Sequence, residues 1–202
     1  MYKVYGRPFA GSLIGEFLLT EANLNYQFIK IDYETSKKNE FLKKSPMGKI
    51  PVLECPDGNI VFETTAIVAH IVETNNILIP KISTPQRDLY NQSMSVMSTS
   101  IYQNYHHQNH SYYYVSEENY DDFRKRAAER QITIYNYIES ILKPYLCGDE
   151  ITAADFYLYM IATWDNDRKE LFTDRPKLSA LIKELSERPS IKKVIASHSK
   201  NN

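Results

Sequence analysis

The chain has 202 residues, 43% hydrophobic and 24% charged, with a formal net charge of −1. That length suits one domain or two small ones and can bury a core without covalent staples. The near-neutral balance excludes the strongly basic surface that nucleic acid or an anionic membrane would attract, so neither is expected as a partner.

Two cysteines, Cys55 and Cys147, make no disulfide framework and point to a reducing compartment. No leader pattern and no apolar run of membrane-spanning length is legible, and the expectation is a cytoplasmic protein. Met1 to Gly6 alternates apolar and polar residues and predicts a strand. Ser12 then precedes Leu13, Ile14, Phe17, Leu18 and Leu24, which share one helical face, so Ser12 is the expected N-cap. Tyr26 to Ile31 alternates again and predicts a second strand. Thr35 to Lys44 is polar and irregular, with room for a short helix. Ile50 to Glu54 and Asn59 to Phe62 read as strands around the turn sequence Cys55-Pro56-Asp57-Gly58. Thr64 to Glu73 is an amphipathic helix. The order fits a mixed sheet with helices on its faces, over residues 1–76.

Residues 74 to 84 carry two asparagines and a proline and read as a linker. All that follows, over 85–202, predicts helix: Pro85 to Ser111, Glu117 to Leu142, Thr152 to about Arg168, Pro176 to Glu187, and Ser190 to Ser197. An α/β first domain and an all-α second domain are the expectation.

Three motifs carry chemistry. Ser45-Pro46-Met47-Gly48-Lys49-Ile50-Pro51-Val52-Leu53 is a turn delivering a proline to the start of an apolar strand, where its missing N–H costs little. Glu63-Thr64-Thr65-Ala66-Ile67 opens a helix with a carboxylate and two hydroxyls. A threonine there is commonly only a cap, but free N–H groups at a helix start also bind carboxylates. Leu146 to Leu158 contains Thr152-Ala153-Ala154-Asp155, a capping box in which Asp155 reaches back to the Thr152 N–H, with Ile151 and Phe156 as its staple.

These segments, in order, resemble the cytosolic glutathione transferase family, whose patterns are N-P-x-G-x-V-P-x-L, E-S-x-A-I and G-x-x-x-[S/T]-x-A-D-x-x-L. The tail Arg188 to Val194 is similar to the family's last helix. The resemblance implies a thioredoxin-like domain followed by an all-α helical bundle. It also implies glutathione as co-substrate, a homodimer and a small electrophilic second substrate. Pro51 is cis in that family, which turns the Ile50 N–H and C=O toward an extended cysteinyl backbone. Thr64 is implied to hold the γ-glutamyl carboxylate and Glu63 its ammonium, with Lys49 or Lys37 at the glycine end.

The thiolate needs a donor near the first helix, and Ser12 and Tyr5 compete for the role, with Ser12 preferred. No cysteine stands there, while Phe9 and Ala10 occupy positions where other members place a serine. Phe9, Tyr102, Tyr105 and His106 are implied to line the second-substrate pocket. His106 and His110 are spaced as helix-borne metal ligands, but no acidic residue or cysteine nearby completes a set, and no metal is expected. Trp164 reads as core. The resemblance implies a transferase; a glutathione-dependent reductase or isomerase, or a non-catalytic interaction scaffold, stays open beside it.

Overall fold

The structure, a computed structural model, describes residues 1–165 and 168–200, and two compact units divide them. The first unit comprises Met1–Ile79 with Leu185–Asn202, and the second comprises Pro80–Glu184.

In the first unit, β1 (Tyr2–Gly6), α1 (Leu13–Glu21) and β2 (Tyr26–Lys30) form a crossover whose strands pair in parallel. Two short helices follow, α2 (Tyr33–Ser36) and α3 (Asn39–Leu42), in the stretch that read as irregular. Next come β3 (Val52–Glu54), β4 (Ile60–Phe62) and α4 (Thr64–Asn75). The sheet order is β2-β1-β3-β4, with β3 antiparallel to both its neighbours.

Alternation along the strands divides the core. Tyr5, Ile31 and Val52 bury themselves with Phe41 of α3. Val4 and Leu53 point the other way, and on that side Ile14, Phe17 and Leu18 of α1 are fully buried, as are Val68 and Ile71 of α4. Helix α4 ends on Asn76, whose φ of 49° is the left-handed turn that asparagine tolerates.

The domain division read from sequence places residues 85–202 together, whereas the last helix packs with the first unit. Helix α11 (Pro189–Lys200, after α10 below) lies on α1. It buries Ile191 and Val194. Arg188 donates to Glu21 from Nε at 3.1 Å.

The second unit is helical. Pro85 opens α5 (Pro85–Val96) behind the Thr84 hydroxyl, which accepts from the Arg87 N–H at 3.2 Å. The single helix predicted from Pro85 to Ser111 is interrupted by a π-helical turn over Met97–Ile101 before α6 (Tyr102–Asn109). Helix α7 (Tyr120–Ile141) begins after a 3₁₀ turn over Glu117–Asn119. Helix α8 (Ala153–Ala162) is buried on all sides, as its nearly continuous apolar sequence requires. It stops well short of Arg168, because the Thr163 and Trp164 N–H groups turn back onto Tyr159 and Ile161. Residues 166 and 167, inside that predicted helix, lie outside the described residues. Then come α9 (Arg168–Thr173) and α10 (Pro176–Glu187). Trp164 is half-buried rather than core, its ring 5.3 Å from those of both Tyr102 and Tyr105. Among the described residues no helix is long and apolar enough to cross a membrane.

Candidate functional site

The site is built where the β3 start, the β4 end and the head of α1 come together. Register does the work: Val52 pairs with Phe62, so the chain before β3 runs beside the chain after β4. Tyr5 pairs with Val52, so the end of β1 lies alongside as well.

The turn ahead of β3 is closed by a residue whose role the sequence reading did not assign. Ser45 is buried, and its hydroxyl donates to the Lys49 carbonyl at 2.8 Å while accepting the Lys49 N–H at 3.1 Å. Gly48 sits inside this ring at a φ of 63°, and a Cβ there would meet the Ser36 carbonyl oxygen at 2.9 Å. The turn hands over to Ile50-Pro51, whose peptide bond is cis. Among the described residues neither the N–H nor the C=O of Ile50 is paired. A serine four residues before a lysine is too common a pattern to have signalled this ring from sequence.

Beside it, α4 starts without a side-chain cap. Glu63, not a threonine, holds the cap position, with a φ of 71° that costs a non-glycine residue about 1–3 kcal/mol. The Glu63 carbonyl accepts from Ile67 at 2.9 Å. The N–H groups of Thr64, Thr65 and Ala66 are left without an acceptor among the described residues. Thr64 is buried, while the Glu63 side chain is exposed and meets no cation among the described residues. An unpaired backbone edge, an open helix start and an unmatched carboxylate thus lie together. Lys49 and Lys37 are both exposed, and the Lys37 ammonium stands 5.1 Å from the Tyr33 ring.

The two candidate hydroxyls are both engaged. Ser12 is fully buried and precedes α1, but it does not cap it; its hydroxyl donates to the Arg7 carbonyl at 3.2 Å. Its position is tightly held, since a Cβ on Gly6 would lie 2.2 Å from the Ser12 Cβ. Tyr5 points to the α3 side of the sheet and donates to Glu54 at 2.7 Å. Burial, then that bond to a carboxylate, raise the Tyr5 phenol above its ordinary range. Glu54 also accepts from Lys3 at 2.6 Å and Lys44 at 2.7 Å, and these partners pull its carboxyl down to about 2. Arg7 spends its Nε on the Ile31 carbonyl at 3.1 Å.

Phe9 is partly exposed at a φ of 57°, and its N–H donates to Nδ1 of His198 at 3.1 Å. Tyr102 and Tyr105 are half-buried against Trp164, and burial raises the Tyr105 phenol. His106 stacks on His110 with ring centroids 4.3 Å apart. Among the described residues no group of three or more metal-binding side chains gathers. The Thr152–Asp155 box is formed. The Asp155 carboxylate accepts from the N–H groups of Leu146 and Thr152, both at 2.8 Å, and from the Thr152 hydroxyl at 3.0 Å. Burial nevertheless pushes the Asp155 carboxyl up to about 6.

Two family models match this chain: the glutathione S-transferase N-terminal domain over residues 2–73 and the glutathione S-transferase C-terminal domain over residues 103–198. An uncharacterised glutathione transferase-like protein of Escherichia coli, YncG, is 24% identical over 96% of this chain and 97% of its own length. Glutathione S-transferase F7 of Arabidopsis thaliana is 25% identical over 96% and 98%. A glutathione transferase homologue from Sulfitobacter, solved with bound glutathione, superposes with a TM-score of 0.86 at 22% identity, covering 98% of each chain.

Proposed function

The chain belongs to the glutathione S-transferase family, and from that premise we propose that it binds reduced glutathione at the β3–α4 corner and transfers it, as a thiolate, to a small electrophile. The observation that carries this reading is the unpaired Ile50 backbone beside an uncapped α4. An extended cysteinyl residue adds to the Ile50 N–H and C=O as a one-residue strand, with Pro51 fixing the edge. The γ-glutamyl carboxylate takes the open N–H groups at Thr64, where the helix end is positive. Its ammonium pairs with Glu63, and Lys49 attracts the glycine carboxylate.

For the thiolate, Ser12 suits the role better than Tyr5. It stands at the positive end of α1 and gives up only a bond to a carbonyl, whereas Tyr5 would have to leave a carboxylate on the α3 side of the sheet. Rate gain then comes from orientation and thiolate stabilisation. Within the second unit, Tyr102 and Tyr105, half-buried beside Trp164, are side chains of the kind that suits apolar acceptors. Family membership supports a homodimer.

The test is the ionisation of protein-bound glutathione, followed by thiolate absorbance against pH. Its thiol should titrate below the ordinary thiol range near about 8.5. Ser12→Ala should move it back up and Tyr5→Phe should leave it unchanged. An unshifted thiol in the bound state would rule out thiolate stabilisation. One observation favours a second reading: both candidate hydroxyls are committed inside the chain. In that reading the protein binds glutathione without activating it, and the same titration separates the two.

A further inference from the structure

Between β1 and α1 the chain folds tightly on itself. The Arg7 carbonyl accepts both the Ala10 N–H and the Ser12 hydroxyl, each at 3.2 Å, and the Ala10 carbonyl accepts the Leu13 N–H at 3.0 Å. Phe9 stands in the middle of this turn at a φ of 57°. A bulky residue keeps that left-handed conformation only where its surroundings impose it, and such strain gathers at functional sites.

The restraint comes from the last helix, within the same unit. His198 of α11 is buried, and its Nδ1 accepts the Phe9 N–H at 3.1 Å. Because that N–H can only donate, the ring proton sits on Nε2, which lies 3.0 Å from Oε2 of Glu16. Glu16 is completely buried on α1, and its carboxyl also shares a side-chain hydrogen bond with Tyr26 of β2. The His198 ring meets those of Phe9 and Phe28 with centroids 5.5 and 4.9 Å apart. A buried chain of hydrogen bonds thus runs from β2 through α1 and α11 to the backbone of the turn. Docking of α11 does not need it, since Ile191 and Val194 are buried there and Arg188 and Ser190 both bond Glu21. An apolar pair in place of Glu16 and His198 would hold the two helices about as well, because burying charge costs desolvation. It would not supply an acceptor for the Phe9 N–H.

We infer that His198 is a positioning residue for the thiolate chemistry, given the reading of Ser12 as the thiolate's hydrogen-bond donor. Through Nδ1 it holds Phe9, and with Phe9 the turn that sets the Ser12 hydroxyl. Glu16 and Tyr26 in turn hold the imidazole in the tautomer that can accept. A fully satisfied buried network of this kind rigidifies what it touches.

The experiment compares wild type, His198→Asn, and His198→Phe combined with Glu16→Gln, which avoids a bare buried carboxylate. Asparagine puts an amide oxygen near the place of Nδ1, whereas phenylalanine keeps the ring and loses the acceptor. Each protein is melted, titrated with reduced glutathione by calorimetry, and assayed for the ionisation of bound glutathione by thiolate absorbance. The phenylalanine variant should bind glutathione within about 3-fold of wild type, since the β3–α4 corner shares no residue with the network. Its bound thiol should titrate about 1 pH unit or more higher, the loss of one hydrogen bond to a thiolate. His198→Asn should recover most of that displacement. Amide hydrogen exchange over residues 7–12 should be faster in the phenylalanine variant and slow in the asparagine one. If the phenylalanine variant melts below the assay temperature, the apolar Glu16→Leu, His198→Leu pair takes its place. An unshifted thiol in the wild type would remove the Ser12 reading and this inference with it. A shifted wild-type thiol that the phenylalanine variant keeps, or that asparagine fails to restore, would overturn this inference alone. So would a variant that loses affinity and thiol ionisation together, the mark of a merely structural role.

Discussion

The two helix starts that the sequence marks with threonine behave in opposite ways. At α8, Asp155 accepts from two backbone N–H groups and the Thr152 hydroxyl, and the whole box is buried. At α4 no side chain caps, the first N–H groups stay open, and Glu63 is held at positive φ. A helix start that satisfies itself stabilises the fold. One that is left open and strained is available to a ligand. Stability and ligand affinity should therefore respond to mutation separately at the two places.

The largest expected effect is at α8. Asp155→Ala strands the buried N–H groups of Leu146 and Thr152, at a cost of about 2–4 kcal/mol. For a chain of this size that lowers the melting temperature by roughly 5–15 °C. Glutathione affinity in the folded fraction should not change, and an unaltered melting curve would refute the capping role.

Next is Glu63→Gly at α4, which should split the two properties in opposite directions. Relief of the positive φ should add about 1 kcal/mol of stability. Loss of the carboxylate should weaken glutathione by roughly 10-fold or more. Thermal melting and calorimetry on the same preparation check both, and a variant that is less stable and binds normally would invert the comparison.

Gly48→Ala comes third. It forces a Cβ against the Ser36 carbonyl and should cost about 1–2 kcal/mol while loosening the Ile50 edge. Denaturant unfolding measures the first effect and glutathione titration the second.

The pH dependence is the smallest and separates two carboxylates. Asp155 has a folded value of about 6 against an ordinary 3.8, so the folded state holds its proton more tightly. Its contribution is most favourable below about pH 4 and declines as pH rises through about 6. Glu54 has a folded value of about 2 against 4.5, so its contribution is present above about 4.5 and is lost as pH falls through about 2. Urea midpoints across this range should show Asp155→Asn removing the first slope and Glu54→Gln removing the second.

The fold was legible wherever local pattern decides structure. The strand alternation, the Cys55–Gly58 turn and the Thr152–Asp155 box each report on neighbours in sequence, and each formed. The candidate ligand corner was legible for a related reason, since Ile50-Pro51 and Glu63-Thr64 flank the two consecutive strands of one hairpin, just before β3 and just after β4. What escaped depended on contacts that no local pattern announces. Ser12 looked like a cap, but its hydroxyl is drawn to Arg7 and its side chain is packed against Gly6. Tyr5 is occupied by Glu54, far along the chain. The return of α11 to α1 rests on Glu16 with His198 and Glu21 with Arg188, pairs that no periodicity announces. The π turn at Met97–Ile101 leaves an ordinary helical pattern in sequence.

The central claim is that the open α4 start binds glutathione, and calorimetric titration with reduced glutathione tests it most directly, run on the wild type beside a Glu63→Ala, Thr64→Ala variant. Saturable binding in the wild type, lost in a variant that melts normally, is the predicted result. No binding at millimolar glutathione, or equal binding by both proteins, would contradict it.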